Sequence, residues 1–388
     1  MKKTRTCDNK SLGKKNRRDT LMVICAAAVL AGLAVVLVMW LNPGYSREPY
    51  QRQEIDVLDD VVTITAYGKN QSRVEGAVDA AFQEFYRVDE MADRYDPQSE
   101  IARVNAAAAV GPVVVSDELW DMISESMEMY EASGGLFDIT VGPLVDVWDV
   151  VGRGGLIEGP PVWDWLGGLS RRKGPPSPDE IDAAMELVGA DKLVLDGAAH
   201  SVFFTREGMI LDPGGIAKGY ALDRAEEALR SGGVEAGIID LISTSVVIGD
   251  KPEAAGGPLW IFAIQDPRSA GHLAEFTLSG NTYFSTSGDN QRFFEYEGVR
   301  YHHILDPRTG YPAGGTMAVT VVGGPSGAWS DAMSTATFIM GYPEGMTWAE
   351  AVEGVQVVMV DPDGVVHTTP SLDPSLLFIK EKAGAGSG

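Results

Sequence analysis

Three short stretches of this sequence carry side chains suited to handling a phosphate. In WSDAMSTATFIMG (329–341), Asp331 and Thr335 stand four residues apart in a helical pattern, so their oxygens fall on one face. A carboxylate and a hydroxyl, completed by backbone carbonyls, phosphate oxygens and water, suit Mg2+. An aspartate near a helix start also serves as a cap, and a threonine as packing, so the spacing leaves both readings open. The second stretch, LDPGGIAKGYALDRAEEALRSGG (211–233), turns at Asp212-Pro213-Gly214-Gly215 and continues with Ala221, Ala225, Ala228 and Leu229 at helical spacing. A glycine turn into a helix N-terminus presents free N–H groups and the positive end of the helix dipole, which suits an anion. Lys218 in the first turn opposes that dipole, a choice easier to understand with an anion nearby. The stretch contains neither a P-loop nor GxGxxG, and many glycine turns bind nothing. The third stretch is His302-His303-Ile304-Leu305-Asp306-Pro307. Neighbours on a strand face opposite ways, so only one histidine points into a given site, as a general base or as a surface group bonded to the turn. Tyr95 and Phe137 lie beside turns, where aromatic rings pack in cores or stack on planar ligands.

These residues need elements to hold them. Val57–Tyr67 is rich in β-branched residues and reads as one strand. Helical periodicity covers 72–92, 117–133 and 178–188 and runs from the glycine turn to a stop at Ser231-Gly232-Gly233, with a short turn or helix at 99–105. Strands are expected at 192–195, 201–205, 236–248 (strand and turn), 259–265, 273–278 and 317–322, with a final hairpin at 355–368. The Gly-, Pro- and Trp-rich stretch 151–178 reads as a surface loop. No repeat is present, and strands and helices do not alternate strictly. The expected fold class is α+β, with a body of largely antiparallel sheets and packed helices.

Composition bounds the function. The chain has 388 residues, 45% hydrophobic and 22% charged, with a formal net charge of -24. The basic residues concentrate in the first twenty positions, so the body is more acidic still, which argues against nucleic-acid binding. Cys7 and Cys25 are the only cysteines, and no HExxH occurs, so any metal is expected to be a hard, oxygen-ligated one. Leu21–Leu41 is an uncharged apolar run close to the roughly 20 residues that span a bilayer. It follows a basic segment, which places the N-terminus in the cytoplasm and the body outside. The run exceeds the usual h-region of about 7–15 residues and no A-x-A-like site follows, which favours an uncleaved anchor over a cleaved signal peptide. The expected division is a basic tail (1–20), an anchor (21–41), a linker (42–53), one large domain (54–380) and a tail (381–388).

Five blocks in order carry a family resemblance: MADRYDPQSEIARVN, GGLFDITVGPLVDVW, LDPGGIAKGYALDRA, TSGDNQRFFEYEGVRYHHILDPRTGYP and SDAMSTATFIMG. From about Val57 to Val360 the sequence resembles the FAD:protein FMN transferases of the ApbE type. The resemblance implies a single T-fold-like domain that takes FAD and Mg2+. It further implies transfer of the FMN half to a Ser or Thr hydroxyl of an exported or membrane redox protein, with release of AMP. By position it implies Asp331, Thr335 and the Gly215 carbonyl as metal ligands. Leu58, Tyr95, Leu136, Phe137, Asp138, Asp212, Lys218, His303 and Ile304 would contact FAD, and His303 would activate the acceptor hydroxyl. Two segments depart from the family pattern. Asp240-Leu241-Ile242-Ser243-Thr244 stands where an Asn-x-Gly-Gly-Asp-like turn is usual, and Leu58-Asp59-Asp60 replaces a Met-Gly-Thr-like start. The competing functions are an FAD pyrophosphatase giving FMN and AMP, and an exported flavin-binding protein without catalysis.

Overall fold

The computed structural model describes residues 48–150, 174–372 and 377–379. The basic tail, the apolar stretch 21–41, residues 151–173 of the Gly/Pro/Trp-rich loop and the 381–388 tail lie outside those residues. Among the described residues no helix is long and apolar enough to cross a membrane.

The first elements differ from the sequence expectation. β1 (Tyr50–Val57) and β2 (Asp60–Tyr67) form an antiparallel hairpin with Val57 opposite Asp60. Leu58 and Asp59 make its two-residue turn, at φ 52° and 58°, the left-handed conformation that such a turn requires. The continuous strand expected from Val57 is therefore interrupted, and β1 begins inside the stretch expected to be linker. β1 escapes a hydrophobic reading because it is a sheet edge whose side chains are mostly exposed or half-buried polar groups.

Helices α1 (Gln71–Ala92) and α2 (Glu100–Ala107), strand β3 (Val113–Val114), and helices α3 (Asp117–Ala132), α4 (Gly142–Trp148) and α5 (Pro178–Met185) follow. Then come β4 (Leu193–Asp196), β5 (Ser201–Phe204), α6 (Ala217–Ser231), β6 (Ala236–Asp240) and β7 (Thr244–Ile248). The rest comprises β8 (Trp260–Gln265), β9 (His272–Leu278), β10 (Thr282–Gly288), β11 (Phe293–Tyr296), β12 (Val299–His302), β13 (Ala318–Gly323), α7 (Gly327–Met340), α8 (Glu344–Glu350), β14 (Val355–Val360), β15 (Val366–Thr368) and β16 (Leu377–Ile379). The α+β expectation with antiparallel sheets matches: eight strands pair in the order β1-β2-β6-β7-β10-β13-β14-β15, every neighbour antiparallel.

Side-chain alternation gives the large sheet two apolar faces. Val62, Ile64, Ile239, Val246, Val319, Val321, Val357 and Met359 join the main core with α1, α6 and α7. On the other face, Phe284, Val322 and Val358 meet Ile264 and Phe276 of the β8–β9–β16 sheet. Serines and threonines cover short stretches of the strands, and β10, which alternates Phe284 with the polar Ser285 and Ser287, has a composition that gave no strand signal.

The site depends on how α6 crosses α7. A Cβ on Gly219 would stand 2.2 Å from the Gly327 carbonyl oxygen, and one on Gly327 would stand 2.6 Å from the Gly219 oxygen. Only glycine permits that backbone-to-backbone approach. Each helix then caps the other. Asp223 of α6 accepts from Gly327 N at 2.7 Å and Ala328 N at 3.0 Å, at the start of α7. Asp331 of α7 accepts from Gly219 N at 3.1 Å, in the first turn of α6. α6 has no side-chain cap of its own on Ile216, so the buried Gly219 N–H takes its partner from α7.

Candidate active site

The glycine corner before α6 is fixed from three directions. Asn105, at the end of the first sequence block, donates to Leu211 O at 3.0 Å and accepts from Leu211 N at 2.8 Å. Asp212 N donates to Ile139 O at 2.7 Å, tying the corner to the Leu136–Asp138 segment. Asp212 Oδ1 accepts from Gly214 N at 2.9 Å, and its Oδ2 lies 2.8 Å from Arg94 Nε as an ion pair. A Cβ on Gly215 would lie 2.9 Å from the Phe137 ring and 3.7 Å from Thr335 Oγ1. Gly215, Phe137 and Thr335 are thus immediate neighbours, although more than a hundred residues separate the last from the first.

The same corner receives Asp331. Its side chain is buried, at 6% exposure, and burial pushes its carboxyl up to about 6 against the pull of Lys218 and the Gly219 N–H. One oxygen accepts from Gly219 N; among the described residues the other has no hydrogen-bond donor. Among the described residues Thr335 Oγ1 makes only long contacts, 3.4 Å to Asp331 O and 3.4 Å to Ser287 Oγ. The alternative that Asp331 caps its own helix fails on geometry: α7 starts at Gly327, so Asp331 sits a full turn in and caps α6 instead. A buried carboxylate with an uncommitted oxygen, a hydroxyl one turn away and a corner that a Cβ would fill make a donor set that suits a hard cation. Among the described residues no group of three or more His, Cys, Asp or Glu side chains could hold a metal, so a cation here would complete its shell with hydroxyl, carbonyl, water or ligand oxygens.

The two adjacent histidines, at the end of β12 and one residue past it, have different partners. His302 is buried, with Nε2 2.9 Å from Ala313 O, Nδ1 accepting from Ile304 N at 3.3 Å, and its ring edge on Phe338. His303 is half-buried. Its Nδ1 lies 3.2 Å from Arg292 O, which places the ring proton on Nδ1. Burial first, then the Arg292 charge, hold it down to about 3, so the ring is neutral at physiological pH. Among the described residues its Nε2 has no partner, and Lys218 is close enough to act on it electrostatically.

The other residues singled out from sequence take varied positions. Tyr95 is 71% exposed beside the corner, with its hydroxyl 2.6 Å from Arg94 Nη2 and its ring under the guanidinium at 4.3 Å. Leu136, Phe137 and Ile304 are core residues, and Ile304 N bonds back to His302. Asp138 spends both oxygens on scaffold: Oδ1 on Thr140 N and Oγ1, Oδ2 on Ala190 N. Leu58 packs against the core from its turn and donates its N–H to Asp89. Lys218 donates to Ser243 Oγ and lies 3.4 Å from Asp60 Oδ2. Sequence reasoning missed Arg94 and Asn105 as members of this neighbourhood, whereas Asp60 and Ser243 lie in the two segments singled out as departing from the family pattern. Arg94 is 6% exposed in its side chain and bridges Asp146 and Asp212; the only clue in the sequence was its place beside Tyr95.

Comparison with known proteins follows the same outline. A profile of the ApbE family matches residues 58–359. A protein from Treponema pallidum (strain Nichols) named FAD:protein FMN transferase is 28% identical over 335 residues, covering 83% of this chain and 87% of its own. Its namesake from Klebsiella pneumoniae (strain 342) is 28% identical over 75% of this chain and 84% of its own. Among solved structures, the ApbE protein from Thermotoga maritima superposes with a TM-score of 0.72 at 28% identity, covering 83% of this chain and 97% of that one. The flavin transferase ApbE from Vibrio cholerae gives a TM-score of 0.67 at 25% identity, over 83% and 98%.

Proposed function

This chain belongs to the ApbE family and is an enzyme of the FAD:protein FMN transferase kind, and we propose that it works with Mg2+ on a Ser or Thr hydroxyl of an acceptor protein. The observation that carries the proposal is the uncommitted oxygen of buried Asp331, set beside Thr335 and Gly215 at the start of α6. In this reading Asp331, Thr335 and the Gly215 carbonyl hold Mg2+. When bound, the ion neutralises diphosphate charge and makes AMP a better leaving group.

The chain's own residues do the rest. The α6 N-terminus and Lys218 face the diphosphate. Tyr95, prominently exposed and steadied by Arg94, offers its ring to an aromatic face of FAD. Leu58, Leu136, Phe137, Asp138, Asp212 and Ile304 shape or support the pocket walls. The acceptor hydroxyl oxygen attacks the phosphorus on the FMN side, a new P–O ester bond forms, and the P–O bond to AMP breaks. AMP leaves with the bridging oxygen, and the hydroxyl proton passes to His303 Nε2, which is neutral and positioned to accept it. A dianionic diphosphate close by raises the basicity of that ring above its ligand-free value. Residues 21–41 anchor the enzyme in a membrane with the body on the extracytoplasmic side, a reading supported by the apolar run and the basic residues before it.

One assay decides among the competing functions. The protein is incubated with FAD, Mg2+ and a candidate acceptor domain, and the acceptor is examined under denaturing conditions. A flavin-fluorescent acceptor band is expected. Free FMN and AMP without labelling indicate hydrolysis, and FAD recovered intact from a complex indicates a non-catalytic binder.

A further inference from the structure

Lys218 already has partners. Its ammonium donates to Ser243 Oγ and sits 3.4 Å from Asp60 Oδ2, and both side chains are largely shielded, at 21% and 7% exposure. Asp60 uses its other oxygen on backbone: Oδ1 accepts from Val61 N at 2.7 Å and from Ile242 N at 3.3 Å. One carboxylate therefore joins the β1–β2 turn, the β6–β7 turn and the first turn of α6. Those two turns are the segments in which this sequence departs from the family pattern, and the two departures meet at one ammonium group.

We infer that Asp60 is a positioning residue that holds Lys218 when no ligand is bound and sets the affinity of the site for anionic phosphates. The inference rests on the reading of Lys218 as a phosphate contact. A phosphate arriving at Lys218 competes with a carboxylate for the same ammonium, so it meets nearly balanced charge rather than a full positive one. In a partly shielded site that difference matters more than at an exposed surface. It also depends on the ligand. Each phosphate of FAD is esterified and carries one charge, whereas the phosphomonoester of AMP carries close to two at neutral pH. Asp60 thus disfavours the product more than the substrate, which promotes AMP release.

The test is Asp60→Asn in the full chain. Asparagine keeps an Oδ1 acceptor for Val61 and Ile242 and replaces the charged oxygen that faces Lys218 with a neutral amide nitrogen, which ends the hold on the ammonium. FAD binding is followed by flavin fluorescence and AMP binding by calorimetry, both at fixed Mg2+, in wild type, Asp60→Asn, Lys218→Ala and the double variant. FAD is expected to bind about three- to tenfold more tightly to Asp60→Asn and AMP to gain by a larger factor, with both gains lost in the Lys218→Ala background. Unchanged or weaker binding in folded Asp60→Asn, or an equal gain without Lys218, overturns the inference. Should Asp60→Asn fail to fold, Asp60→Ser, which keeps a hydroxyl acceptor for Val61 N, is judged by the same criteria. The underlying functional reading fails separately: wild type that does not bind FAD removes both, whereas wild type that binds FAD through Lys218 but gains nothing from Asp60→Asn removes this inference alone.

Discussion

Asp223 and Asp331 occupy mirror positions at one helix crossing. Asp331 is buried and Asp223 half-buried, each has its carboxyl pushed up by desolvation, and each caps the helix that carries the other. They differ in what is left over. Asp223 gives one oxygen to Gly327 N and the other to Ala328 N. Asp331 gives one oxygen to Gly219 N and keeps the other. Both oxygens of Asp223 are thus spent on scaffold, whereas Asp331 keeps one oxygen available to a further partner. Perturbed acidity is common to the two aspartates; the count of unfilled lone pairs is what distinguishes them.

The largest expected effect breaks this pair apart. Asp331→Ala should lower Mg2+-dependent flavin transfer by about a thousandfold or more while leaving a cooperative thermal melt. Asp223→Ala should do the reverse. It strands two buried N–H groups and costs about 2 kcal/mol of stability, with turnover per folded molecule within a few-fold of wild type. Melts and single-turnover labelling on both variants check the contrast, and equal rate losses would erase it.

The two glycines beside these aspartates give the next contrast. In Gly219→Ala the new methyl meets the Gly327 backbone, which cannot yield, so a loss of about 3 kcal/mol or failure to fold is expected. In Gly215→Ala the methyl meets the edge of the Phe137 ring, which can tilt. That variant should fold, with a higher Mg2+ requirement and slower transfer, measured by metal titration of the rate.

The third prediction concerns protons. Asp331 has its carboxyl raised to about 6 in the metal-free fold, above its ordinary value of 3.8. Its protonated form is therefore favoured by folding, and this group's contribution to stability is present below 3.8 and lost as pH rises through about 6. Metal binding needs the charged form. Apparent Mg2+ affinity should fall as pH drops below about 6, and Asp331→Asn should stabilise the metal-free protein at neutral pH by about 3 kcal/mol. Melts with and without Mg2+ across pH 5–8 read both; an Asn variant less stable than metal-free wild type speaks against the buried charge.

The smallest contrast lies between the adjacent histidines. His303→Ala should slow transfer by about ten- to a hundredfold with little change in melting temperature. His302→Ala removes a ring bonded on both nitrogens and packed on Phe338, so it should lower the melting temperature first.

Much of this geometry was legible in the sequence because it rests on periodicity and block order. The i, i+4 spacing of Asp331 and Thr335 and the glycine corner before α6 both follow from the helix repeat and its start signal. The α+β class followed from the run of helical and strand patterns. What escaped was set by long-range pairing. β1 reads as linker because an exposed edge strand has no hydrophobic signature. β10 reads as nothing because its inward residues are serines, used as hydrogen-bonding partners for α7 and Thr244. The pairings of Arg94 and Asp60 became visible only in space, since their partners Asp212 and Lys218 lie more than a hundred residues away. The reciprocal capping of α6 and α7 carries no local pattern at all.

The most direct measurement is the Mg2+ dependence of flavin transfer in three proteins at neutral pH: wild type, Asp331→Asn and Asp223→Asn. Wild type and Asp223→Asn are expected to saturate with Mg2+ at comparable rates, while Asp331→Asn stays near background at every concentration. A wild-type saturation curve for Asp331→Asn, or loss of the response in Asp223→Asn alone, contradicts the assignment of the free oxygen to a metal.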